Sequence, residues 1–582
     1  MQEVLIKNAT VYDGLGGEPY QADVLVRDGQ IRSVDRSGQM STTDRSVIDA
    51  EGLWLCPGFI DIHTHYDGEV EYAPELSESI RHGVTTCLMG SCGISMVMGD
   101  PEALSDMFTR VEGIPSRYIK DMLTQKKDWD GPAEYLNHLG QLPLGPNIGM
   151  FLGHSTLRAY VMGLAASLTH RNRPSNEQLS RMNSILNEAL DAGYLGLSVN
   201  LLEFDKMDGA VFRSRPTPSV FADWKEYRYL FRTLRRRNRV LQTVPNTANP
   251  LTFFSFIWES RGLFRKGLKT SMLAMIDGKA ARGIHRILGY SARLTNMWLN
   301  GKVKLQGLPE PFDVITHGFD SPFFEEFESG TSYLHIQDAV ERQELLLDKQ
   351  YRSRFRRQWR ARFMPRVFHR KLADTHIIRC PDRQLEGKSF AEVARMQGED
   401  EIDCFIDLIR TYGNDLRWYT IVGNDRPQEL NWIVQHPDCH IGFSDAGAHL
   451  KNMAHYNFGL RLLKFVQEQA AEGRKSLTIG QAVRKLTKEL ADWYLLDGIG
   501  SIEPGKRADL VLIRPEKLDE QLDQLEESGM PAMPEFQRLV RRNDEAVPMV
   551  MINGRIAWQN GVFDPSLGQT AHFGTILQAK AS

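Results

Sequence analysis

Two histidines separated by one residue, His63 and His65, close the apolar run PGFIDIHTH within PGFIDIHTHYDG at 57–68. The run reads as a strand, and residues i and i+2 of a strand point to the same side, so both imidazoles can converge on one ion. Two unrelated core or surface histidines are the alternative; the apolar approach and the following Asp67-Gly68 favour a metal site. A second run, SDAGAH at 444–449, delivers Asp445 after an apolar strand and ahead of a helical segment. A carboxylate at the C-terminal end of a late barrel strand can bind an ion with one oxygen and take a proton from its water with the other. Alone, Ser444 or Asp445 would read as a helix N-cap. Beside His63 and His65, on a first strand that neighbours the eighth in a closed barrel, the catalytic reading is favoured.

The elements that must hold these groups follow from hydrophobic periodicity. Strand-like runs alternate with helical ones from Gly58–His63 through a helix at Ser77–Arg81, then Thr85–Met89, Ile148–Gly153, a helix at Ser175–Ala192, Leu195–Val199, a helix at Ala222–Arg236 and Val240–Val244. Further strands are expected at Ser271–Ile276, Val303–Leu305, Tyr419–Val422 and His440–Ser444, enough for eight parallel barrel strands. Both ends of the chain, around Ala22–Val26, Ala508–Ile513 and Met549–Arg555, read instead as short alternating strands with turn signals such as Asn553-Gly554. The expected fold is α/β: a (β/α)8 TIM-type barrel over 58–496 with insertions, and a small β-sandwich made by 1–57 and 497–582.

At 582 residues, with 42% hydrophobic and 25% charged residues, the chain has ordinary globular character. A net charge of −4 gives no general attraction to nucleic acid or to anionic membrane. No window approaches the length of a membrane span and the first residues lack a leader pattern, so a cytoplasmic protein is expected. The six scattered cysteines read as reduced. The basic, aromatic-laced stretch at 349–371 reads as a solvated helix sooner than as an anion site. LTFFSFIWESRGLF at 251–264 is unusually apolar for a barrel loop and reads as a lid or an oligomer contact.

At this point the chain resembles the amidohydrolase superfamily and, within it, the N-acyl-D-amino-acid deacylase (D-aminoacylase) branch, over almost its whole length. PGFIDIHTH is similar to the first-strand metal motif, GSCGIS at 90–95 to the branch's second-strand cysteine motif, and GHSTLR at 153–158 to its third-strand segment. Gly196-Leu197-Ser198 resembles the fourth strand, SDAGAH the eighth-strand aspartate, and IGSIEPGKRADLVLI the return into the sandwich. The resemblance implies that Cys92 is a metal ligand, where most free cysteines are small buried hydrophobes. It also marks a divergent member. The fifth and sixth strands, at Val240–Thr243 and Met272–Met275, lack the histidines of the branch's second metal site, and LKNMAHYNFG after the aspartate shows no HxR-type segment.

The implied site is mononuclear, with His63, His65, Cys92 and Asp445 around one Zn2+, suited by its nitrogen, sulfur and oxygen donors. The implied reaction is hydrolysis of a small-molecule linear amide of N-acyl-amino-acid type, D-configured in the branch, with Asp445 as general base and then proton donor to the leaving nitrogen. His154 either hydrogen-bonds the scissile carbonyl or is a structural histidine. His449 is a candidate to orient Asp445; Lys279, Arg213 and Arg215 stand near loops where an anionic group could bind, but each taken singly reads sooner as an ordinary exposed basic residue. The rivals are a cyclic-amide hydrolase of dihydroorotase or hydantoinase type and a non-catalytic relative that binds a small molecule. The sequence leaves the oligomeric state open, a homo-oligomer included.

Overall fold

The computed structural model describes residues 3–43, 45–209, 211–247, 249–361, 366–530 and 533–580. Its centre is a ring of parallel strands. The first is Phe59–Asp61 continued by His63–Thr64, followed by Val84–Met89, Asn147–Gly153, Gly196–Asn200, Val240–Val244, Lys269–Leu273 and Lys302–Gly307. The eighth is Cys439–Ile441 continued by Phe443–Ala446, and each strand pairs in parallel with the next. Closure is made by Phe443 opposite His63 and Ala446 opposite Thr64, with the Ile62 amide donating to the Gly442 carbonyl at 2.6 Å. Every residue of Val84–Met89 and Asn147–Gly153 is buried, as expected for strands covered on both faces.

Helices cover the outside by burying one stripe each. Asn176–Ala192 starts at a capping box formed by Ser175 and Gln178, ends at Gly193 with φ 108°, and packs Leu179, Met182, Ile185, Leu186, Ala189 and Leu190 inward. The expected sandwich appears as a nine-stranded sheet from both chain ends, joined where Trp54–Pro57 runs antiparallel to Leu510–Ile513. It closes on its own apolar cluster, which includes Ile6, Val24, Leu55, Leu510 and Met551.

Between the seventh and eighth strands lies a long insertion with its own three-stranded antiparallel sheet, Phe312–His317, Arg417–Gly423 and Thr375–Arg379. An aromatic cluster including Phe324, Phe355, Trp359, Phe405 and Trp418 supports it. The run at Tyr419–Val422 is therefore a strand, but of this insertion and not of the barrel. The basic stretch forms the helix Lys349–Trp359, which buries Tyr351, Phe355 and Trp359 and pairs Arg352 with Asp407 and Arg356 with Asp403; residues 362–365 of that stretch lie outside the described residues. Its charges are those of a solvated helix held to its neighbour. Among the described residues no helix is long and apolar enough to cross a membrane.

Candidate metal centre

The C-terminal ends of the first and second strands bring the side chains of His63, His65 and Cys92 together, and the end of the eighth sets Asp445 beside the two histidines. His63 and His65 project from one side of the first strand, with ring centroids 5.5 Å apart and both side chains buried. Cys92 follows the second strand in a tight turn where Gly90, Cys92 and Gly93 all have positive φ. Only glycine suits position 90, because a Cβ there would lie 2.2 Å from the Phe151 carbonyl oxygen. His63 Nε2 is 3.2 Å from Cys92 Sγ, and donor atoms of His63, His65 and Cys92 all lie within 4.8 Å of one another. Asp445, held at φ 59° where the eighth strand ends, places Oδ1 3.4 Å from His65 Nε2 and 3.7 Å from His63 Nε2. Cys92 and Asp445 are thus two non-glycine residues held in the left-handed region beside the histidines, strain of the kind found where a site dictates the backbone.

Neighbouring amides fix the donors. The Gln306 Oε1 lies 2.8 Å from His63 Nδ1, and Gln306 Nε2 donates to Ser271 Oγ at 3.0 Å, which pairs with the Tyr494 hydroxyl at 2.7 Å. The Gln306 carbonyl oxygen is nearer to Nδ1 than the Gln242 amide nitrogen at 3.3 Å, which favours the proton on Nδ1 and a free Nε2 lone pair on the side of Cys92 and Asp445. Gln242 Oε1 accepts from the Cys92 amide at 3.2 Å while its Nε2 donates to Ser91 Oγ at 3.0 Å, so one glutamine holds the cysteine turn. Asp61 accepts from the amides of His63 and Ser444 and from the Ser444 hydroxyl, tying the first strand to the eighth. If His63 holds a divalent ion, replacing Gln306 with Leu is expected to weaken its binding about 10- to 100-fold, the usual cost of losing a partner of a ligating histidine, with little change in melting temperature; calorimetric titration of metal-free protein with zinc checks it. Unchanged affinity would remove Gln306 from the site.

The electrostatics suit a cation. Burial lowers His63 to about 4 and His65 well below its ordinary value, so both imidazoles are neutral, the ligating form. Burial, and then Asp445, pushes the Cys92 thiol well up, while burial and then Asp205 push Asp445 up to about 7. A buried thiol and a largely enclosed carboxylate next to the same histidines resist ionisation, and a divalent ion reverses that penalty. His65 Nδ1 is buried and has no hydrogen-bond partner among the described residues. The nitrogen, sulfur and oxygen donors fit zinc.

The other sequence candidates do not join the donor cluster, although His449 is close enough to His65 to help lower its basicity. His154 is buried on the helix His154–Met162 with Nδ1 3.0 Å from Ser219 Oγ and Nε2 3.0 Å from Glu226 Oε1, and Glu226 also pairs with Arg158. Both its nitrogens are used in that network. His449 makes no hydrogen bond to Asp445 among the described residues; it lines a cavity of about 280 Å³ together with Asp205, Lys206 and Arg213. Lys279 sits at the insertion sheet, 3.6 Å from Asp374 and 3.7 Å from Asp425. Gln242, Gln306 and Asp61 were not singled out from sequence, although a buried amide inside VLQTV or KVKLQG is a polar group that must find partners.

The amidohydrolase family's sequence pattern matches residues 46–224 and 433–557, the two stretches that carry the four donors. An uncharacterized protein of Mycobacterium tuberculosis is 42% identical over 99% of this chain and 96% of its own length. The chain belongs to the amidohydrolase family. With the family comes the class: a hydrolase acting on carbon–nitrogen bonds other than peptide bonds. N-acyl-D-aspartate deacylase of Alcaligenes xylosoxydans xylosoxydans is 34% identical over 34% of this chain and 36% of its own. Among solved structures, N-acyl-D-glutamate deacylase of Bordetella bronchiseptica, determined with zinc and a phosphonate inhibitor, superimposes with a TM-score of 0.63 at 20% identity over 99% of both chains. D-aminoacylase superimposes at 0.61 with 21% identity over the same shares, which extends the shared fold to the whole amidohydrolase chain.

Proposed function

We propose that this amidohydrolase cleaves a linear small-molecule amide of the N-acyl-amino-acid type, the D series first among them, with one zinc ion at His63, His65, Cys92 and Asp445. The observation that carries the reading is the convergence of those four side chains from three separate strands, with Gln306 and Gln242 holding them. The deacylase likenesses point to the substrate class. A zinc ion bound there supplies a Lewis acid that polarises the scissile carbonyl and makes a water acidic.

The chain's own groups do the rest. Asp445, with the carboxylate oxygen that is not turned to His63 and His65, accepts the proton of the attacking water and returns it to the leaving nitrogen. Neutral His63 and His65 add no competing positive charge to the site. The cavity beside His449 is where the substrate would enter; Lys206 and Arg213 line it together with Asp205, Asp208, Asp320 and Glu325, and Arg213 is already paired with Asp208 at 2.6 Å.

The test is metal content of protein purified without added metal, paired with hydrolysis of matched N-acyl-D- and N-acyl-L-amino acids. About one zinc per chain and D-selective turnover are expected. A chain that binds no zinc and turns over neither series after zinc is supplied would be a non-catalytic binder and would end this reading.

A further inference from the structure

The apolar stretch at 251–264 belongs to a larger exposed surface. The helix Leu251–Ser260 turns Phe253, Phe256 and Ile257 inward but leaves Leu251, Phe254 and Trp258 exposed, a second stripe at spacings of three and four. The next helix, Ile284–Trp298, buries His285, Gly289, Ala292 and Thr295 and presents Ile287, Tyr290, Leu294 and Met297 outward. A soluble helix normally shows polar residues on that outer face. The Gly262 amide donates to the Leu299 carbonyl at 2.8 Å, which joins the loop after the first helix to the end of the second. Phe264, 99% exposed, and Trp298, 74% exposed, therefore crown one corner. Both loops lead into the starts of barrel strands at Lys269 and Lys302, so this corner lies at the end of the barrel opposite the metal centre.

Charge says what this surface fits. Of the nine lysines and arginines in 251–302, Arg265 pairs with Glu259, and Lys279, Arg282, Arg286 and Arg293 pair with Asp374, Asp425, Glu429 and Asp438 of other segments, which leaves Arg261, Lys266, Lys269 and Lys302 without a carboxylate partner among the described residues; the segment's own carboxylates are Glu259 and Asp277. Both carboxylates are buried and paired with arginines. Arg261 stacks over the Trp258 ring at 3.4 Å, and Arg261 and Lys266, which flank Phe264, have no carboxylate partner among the described residues. A second copy docked by a twofold axis would set this cationic rim against itself. Anionic lipid headgroups would instead neutralise the rim while the aromatic and aliphatic side chains enter the boundary below them. We propose that this corner is a peripheral membrane-docking surface for anionic lipid, which holds the barrel with its catalytic mouth turned away from the bilayer. Neither a spanning helix nor a net positive chain is needed, so the bulk charge conceals the property.

The experiment is cosedimentation of the full-length protein with phosphatidylcholine vesicles, with and without phosphatidylglycerol. Binding is expected on the phosphatidylglycerol vesicles only, weakening as salt is raised. The Phe264→Ser/Trp298→Ser variant, altered only at exposed side chains remote from the metal centre, should lose at least about tenfold in partitioning while keeping parental activity and melting temperature. Protein that remains in the supernatant with both vesicles overturns the proposal. If light scattering then shows a dimer that the double variant splits, the surface is a contact between copies.

Discussion

Replacing Asp445 with Asn is expected to lower kcat/KM by about 10³-fold or more, since a positioned general acid–base group contributes roughly 10²- to 10⁴-fold and this one also faces the ion. The fold should survive, because Asn keeps the shape and the backbone pairing of Ala446 with Thr64 does not involve the carboxylate. Stability gives a second, independent readout. The Asp445 carboxyl is pushed up to about 7 in the folded chain, whereas an unfolded chain releases that proton near pH 4. Between those values the folded state binds more protons than the unfolded one, so this group's contribution to stability falls as pH rises and the penalty is complete above about pH 7. Metal-free Asp445→Asn protein should thus melt at a higher temperature than the metal-free parent at about pH 8 and at the same temperature near pH 3. Zinc should reverse the order at pH 8, by stabilising the parent more than the variant. Parental turnover in the variant would remove Asp445 from the chemistry, and melting curves that differ equally at both pH values would remove the buried charge.

What could be read from the sequence divides along the range of the interactions. His63 and His65 were legible because alternation along one strand is a local property, and Asp445 because the end of a late strand is a place with chemical meaning in a closed barrel. Gln306 was not, since its bond to His63 spans 243 residues and exists only once the barrel closes. The same holds for His154, whose partner Glu226 lies 72 residues away; nothing in GHSTLR says that both ring nitrogens will be engaged. Tyr419–Val422 shows the limit for strands. Its pattern marks a strand correctly, but membership of a sheet depends on partners, here Phe312–His317 and Thr375–Arg379, that local periodicity does not carry. The outer stripe at Ile287, Tyr290, Leu294 and Met297 was hidden for a related reason, because a helix with one apolar stripe reads as turning it inward, whereas here the small and polar face of His285, Gly289, Ala292 and Thr295 is the buried one.

Cys92 is the donor that depended most on family resemblance, and its replacement by Ala should be the most informative change at the site. A lone buried cysteine is ordinarily inert, and burial with Asp445 alongside holds this thiol protonated. It can ligate only as the thiolate, so zinc binding must expel its proton. The parent is then expected to release about one more proton per zinc than Cys92→Ala, measurable by titration calorimetry in buffers of different ionisation enthalpy, and to bind zinc more tightly at higher pH. Removing a ligand should cost more than the 10- to 100-fold expected for removing Gln306, which acts only through His63. The turn itself should tolerate the change: alanine keeps the Cβ at φ 52°, and the Cys92 amide still reaches Gln242. A loss of affinity with an unchanged melting temperature of the metal-free protein therefore reports ligation and not folding. If Cys92→Ala binds zinc with parental affinity and the same proton release, the sulfur is packing, and His63, His65 and Asp445 hold the ion alone.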